Sequence, residues 1–237
     1  SEKELVDKLI KLLEDVVKKL EDIARDNNRI LKEIADRVKE LNERTVEEIK
    51  RVIEELRRKK DDREVVKKIL EDIERVLREY EREIEKLIKR NDDVARKSEE
   101  DVRRLLEEVK KVLDEISKDL KDERLVKALA DVIRKAIELL KRLLDKDVKI
   151  NEEVSRILKE NLDEVRKIVE ELLKLIERDT DEEKLTRAAE DLLRKLRRVD
   201  EESDKKLREV HRKHKEALEE VKRRLKEITE EADRATR

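Results

Sequence analysis

The chain has 237 residues, of which 57% are charged, yet 66 Lys and Arg nearly cancel 68 Asp and Glu. A balanced charge leaves no strong field to draw in nucleic acid or an anionic membrane surface. The 36% of apolar residues come almost entirely from Leu, Ile, Val and Ala, so the chain is not of disordered composition. There is no Gly, Pro, Cys, Met, Trp or Phe, and Tyr80 is the single aromatic residue. Hairpins and tight turns lose their usual residues, and disulfides and thiolate metal sites are excluded.

In chain order, Ser1 and Glu4 form a capping box that predicts a helix start. An unbroken apolar seam follows from Leu5 to Leu56, ending at Lys59-Lys60-Asp61-Asp62. Cations close one helix there and an Asp opens the next. The second seam runs from Val65 to Ile116 and breaks at Lys118 to Asp122, with Asp122 as the expected N-cap. The third runs from Leu125 to Ile176. Thr180 and Glu183 form a second capping box before the fourth, from Leu185 to Ala232. The prediction is an all-α, antiparallel up-down-up-down four-helix bundle in one domain, 1–237, with helices at 2–59, 62–118, 122–177 and 181–235. Connections this short force consecutive helices to run antiparallel.

Seam positions recur every 18 residues: Val16, Ile34, Val52; Ile69, Leu87, Leu105; Leu140, Leu158, Ile176; Ala189, Leu207, Leu225. Five turns in 18 residues match a straight helix rather than a heptad supercoil, so nearly straight helices are expected. A rival reading breaks each quarter at its polar middle and gives eight short helices. The apolar phase does not shift across those middles, which favours four.

Polar residues fall on the seam. Asn27, Asn91, Asn151 and His214 lie near the midpoints of the four quarters and are expected at one level, with Asn28, Asp147 and His211 close by. A second level gathers Asn42, Tyr80, Asn161 and Asp200, with Thr45 and Ser203 nearby. Ser98 is expected to stand alone or to bond a backbone carbonyl. A buried amide without a partner costs about 1 to 3 kcal/mol, so residues at matching levels are expected to satisfy one another. Such groups would fix helix register and pairing, because a shifted arrangement would strand them. If buried and neutral, His214 would weaken the fold when protonated.

No site for chemistry emerges. His211 and His214 are the only histidines, and neither follows a Glu by three residues as in di-iron bundles. No metal, cofactor or catalytic residue is therefore assigned. Phosphate loops and nucleophile elbows need glycine. Basic runs alternate with acids in i, i+4 pairs and lack aromatic interleaving, so nucleic acid is not an expected partner. No apolar run approaches the about 20 residues of a membrane span, no targeting segment is apparent, and Ser1 in place of Met suggests a processed product.

These features together resemble de novo designed helical bundles built parametrically with hydrogen-bond networks in the core. The resemblance rests on the 18-residue repeat, the near-equal helices, the capping boxes and core Asn27, Asn91 and Asn151. It implies a soluble synthetic scaffold, monomeric, needing no partner and without natural biochemical activity. An alternative is a helical-hairpin interaction module whose halves reassociate when split. A natural spectrin-like rod or a His-based metal site fits less well, since core tryptophans and further His ligands are missing.

Overall fold

The computed structural model describes residues 2–178 and 181–236. The chain is a four-helix bundle: α1 (Glu2–Lys59), α2 (Arg63–Asp119), α3 (Glu123–Glu177) and α4 (Glu182–Ala235). Each helix is continuous across its polar middle, so the eight-helix alternative is wrong. The 18-residue positions land on the core, with Val16, Leu140 and Leu158 fully buried. Each such aliphatic side chain contributes about 1.5 to 3 kcal/mol of transfer free energy, which is why a chain so rich in charge still folds.

Where the ends are described, caps form as the side chains dictate. Asp62 Oδ1 accepts from the backbone N–H of Glu64 at 3.1 Å, and Asp122 Oδ1 from that of Arg124 at 3.1 Å. Each satisfies one of the four amides that a helix start leaves without an intrahelical partner. Arg57, Arg58 and Lys59 sit in the last turn of α1, where the helix dipole favours cations. No described residue has a positive φ, so the connections from α1 to α2 and from α2 to α3 reverse the chain without the left-handed residue that usually closes a helix. Ser1 and Thr180, the first residues of the two expected capping boxes, lie outside the described residues.

The chain divides into two compact units, and each helix gives a segment to both. The first unit comprises residues 1–30, 93–152 and 210–237; the second comprises 31–92 and 153–209. In the first, Leu9, Leu13 and Val16 of α1 pack with Val109 and Ile116 of α2, Leu129, Ile133 and Leu140 of α3, and Leu225 and Ala232 of α4. Its neighbouring helices are antiparallel: Lys8 pairs with Glu115 at 3.0 Å, and Lys135 with Glu231 at 3.2 Å. In the second, Ile34, Val38 and Leu41 are buried, as are Ile73, Ile84, Leu158, Val165 and Leu207. There Arg37 meets Glu83 at 3.2 Å, Arg166 meets Glu81 at 3.0 Å and Arg208 meets Asp36 at 2.7 Å. Such pairs at the solvent boundary contribute at most about 1 kcal/mol each. They dress the bundle; burial holds it.

Candidate functional site: two buried polar networks

Each unit carries one chain of buried side-chain hydrogen bonds, and each chain touches all four helices. In the first unit, the Asn27 Nδ2 group donates to Ser98 Oγ at 3.0 Å, and Ser98 donates to Asp147 Oδ2 at 3.0 Å. His214 Nε2 lies 3.2 Å from Asp147 Oδ1, and its Nδ1 lies 3.4 Å from Asn28 Oδ1. The path runs α1 to α2 to α3 to α4 and back to α1. Asn27, Ser98, Asp147 and His214 are all buried.

The direction of each bond follows from donor arithmetic. A carboxylate only accepts, so Ser98 and His214 Nε2 both present a proton to Asp147. Ser98, having given its proton away, accepts from the Asn27 amide. His214 Nδ1 is then an acceptor in the neutral ring and a donor in the charged one. The contact places Nδ1 against the Asn28 side-chain oxygen, an acceptor, so its proton comes either from Nδ1 or from the NH2 group of a turned Asn28 amide.

In the second unit, Asn42 of α1 and Asn161 of α3 form a reciprocal amide pair. Asn42 Nδ2 donates to Asn161 Oδ1 at 3.1 Å, and the return bond measures 3.5 Å. The Tyr80 hydroxyl donates to Asn42 Oδ1 and accepts from Asn161 Nδ2. Ser203 Oγ donates to Asn161 Oδ1 at 2.6 Å. Asn161 is thus the hub, bonded to α1, α2 and α4. Burial pushes the Tyr80 phenol well above its ordinary range, so it stays a donor at any ordinary pH.

Several sequence expectations need correction. Ser98 is not a solitary site and does not bond a backbone carbonyl; it is the link between Asn27 and Asp147. Asn91 and Asn151 were expected beside Asn27 and His214. Asn91 is buried but belongs to the second unit, and Asn151 is half-buried in the first. Asp147 takes the central place instead. It lies four residues after Leu143 and seven before Val154, on the stripe that those two bury. Sequence reading placed it only nearby, because one Asp among so many surface acids carries no distinguishing mark, whereas Asn is scarce. Thr45 is buried in the second unit, and His211 is half-buried in the first.

Asp200, beside the second network, is the strongly perturbed acid. Its Oδ1 is sealed from solvent without a hydrogen-bond partner among the described residues. Burial raises its pKa from 3.8 to about 6, reinforced by the charges of Glu43 and Asp204 and opposed by the Asn42 amide and Lys39. Below pH 3.8 the carboxyl is protonated in folded and unfolded chains alike. Between that value and about 6, only the folded chain keeps the proton, so stability falls as pH rises; above it the loss is complete. The melting temperature of the native chain, minus that of Asp200→Asn, should therefore decline between pH 4 and 7 and be flat outside that window. Parallel melting curves across that range would contradict the assignment.

Ser98, Asp147 and His214 are the residue types of a nucleophilic triad in an order that does not activate the serine. The histidine does not face the hydroxyl; a carboxylate, a far weaker base, stands between them. Among the described residues, no group of three or more His, Asp or Glu is placed to hold a metal ion. No described helix is long and apolar enough to cross a membrane. Compared with protein-family models, with curated proteins and with solved structures, the chain has no match.

Proposed function

We propose that this chain is a de novo designed structural scaffold without natural catalytic activity, in which the two buried networks fix helix register and pairing. The observation that carries the reading is that each network engages every helix through side chains that satisfy one another. Sliding one helix by a turn would bury Asn161 or Asp147 against aliphatic side chains, at about 1 to 3 kcal/mol per stranded group. An aliphatic core alone imposes no such penalty, because Leu packs against Leu in several registers. The networks thus act against alternatives rather than adding stability to the native state. The absence of glycine, proline and cysteine, the repeat of 18 and the inactive order of the Ser98 group support the same reading.

The test removes the second network while keeping its volume apolar: Asn42→Leu, Tyr80→Phe, Asn161→Leu and Ser203→Ala together. This variant should stay helical and melt no earlier than the native chain. It should lose its single arrangement, seen as several species by mass-resolved size exclusion and as multiplied amide resonances. One species with one set of resonances would sink the proposal.

A further inference from the structure

Between α1 and α2 of the first unit lies a cavity of about 490 Å³, open to solvent along one side. Its volume falls within the about 300 to 1,000 Å³ of small-molecule sites. The cause is local. Ser98 is a small side chain at a buried position flanked along the helix by Val94, Val102 and Leu105, and Ile30 and Val94 beside it are only partly covered. Ile23, Ile30, Val94 and Leu105 make the walls. Asn27 and Ser98, 8% and 4% exposed, also line it.

The polarity of the first network fixes what Asn27 can offer there. Ser98 must donate to the Asp147 carboxylate, so it accepts from Asn27, and the Asn27 amide spends its NH2 group on Ser98. The Asn27 side-chain carbonyl meets no donor among the described residues, and it is not sealed from solvent. A nearly buried acceptor with unused lone pairs therefore borders a mostly apolar space. The rim carries four basic and four acidic side chains, some already paired, as Lys19 is with Glu108 at 3.6 Å. That balance gives no field to select a charged ligand.

We propose that this groove binds an uncharged, largely apolar molecule of fragment size that donates one N–H or O–H hydrogen bond to the Asn27 side-chain carbonyl. The apolar body covers Ile30 and Val94; the donor gives Asn27 the partner that the protein does not supply. The inference holds whether or not the chain is a scaffold, since it rests only on the groove and the direction of the network.

The probes are indole and 1-methylindole, which share a ring and differ in the N–H donor. Ligand-observed NMR titrations on the full chain should show saturable binding of indole. 1-Methylindole should bind about fivefold more weakly, the worth of one neutral hydrogen bond. Val94→Phe fills the groove from a partly exposed position outside the hydrogen-bond chain and should abolish indole binding while circular dichroism shows the helices retained. Absence of saturable indole binding overturns the proposal, as do equal affinities for the two probes or undiminished binding by a folded Val94→Phe variant. The two-probe comparison needs no variant, so a folding failure does not leave the question open.

Discussion

Asn161→Ala should lower the unfolding free energy by about 3 to 5 kcal/mol, far beyond an ordinary surface substitution. Asn161 is 2% exposed and bonds Asn42, Tyr80 and Ser203 at once. Truncation leaves the Asn42 amide and the Ser203 hydroxyl without their acceptor and removes a donor from Tyr80. Each stranded group costs about 1 to 3 kcal/mol, and the new cavity adds to the loss. The Tyr80 to Asn42 bond survives, which keeps the total below the sum of all parts. Urea unfolding measures it, with Glu164→Ala on the outer surface of the same helix as the reference, expected within about 0.5 kcal/mol of the native chain. A loss below about 1 kcal/mol for Asn161→Ala would mean that the hub is wet or that its neighbours re-pair.

His214→Leu alone should cost about 3 kcal/mol at neutral pH, and adding Asp147→Leu should restore most of it. The single change leaves the Asp147 carboxylate buried with only the Ser98 hydroxyl to meet it. Breaking a buried pair from one side costs about 3 to 5 kcal/mol, while replacing both partners by packed aliphatics is often neutral. Ser98 has a fallback, since a helical serine can turn its hydroxyl to the carbonyl four residues earlier. The double-mutant cycle should therefore give a coupling of about 2 kcal/mol or more. Additivity within about 0.5 kcal/mol would show that the two residues do not share a bond.

The contrast between these sites shows what a sequence of this kind reveals. Helix number and extent were legible because the apolar phase runs unbroken through every polar middle, so the seam of α1 passes Asn27 without a shift. Starts were legible where Asp62 and Asp122 stand as caps. The grouping of Asn42, Tyr80 and Asn161 was legible because antiparallel helices of nearly equal length fix which positions face each other. The other network was harder. Asp147 is camouflaged in a chain where more than half the residues are charged. Asn151 shares the spacing of core positions with Asn27 yet is only half-buried, and one-dimensional spacing does not separate the centre of a buried stripe from its edge. Ser98 looked solitary because its partner Asp147 had not been given a core role. The groove beside it is a matter of missing volume, which no pattern of residue types reports.

The central claim is that polar side chains from four helices are buried together and satisfy one another. The most direct measurement is NMR of the side-chain protons of Asn42, Asn161 and Tyr80 at neutral pH. The Tyr80 hydroxyl proton should be visible, exchange slowly, and show nuclear Overhauser contacts to the side-chain amide protons of both Asn42 and Asn161. Amide protons that exchange as fast as those of exposed asparagine, with no Tyr80 hydroxyl signal, would contradict the network and with it the role proposed for the chain.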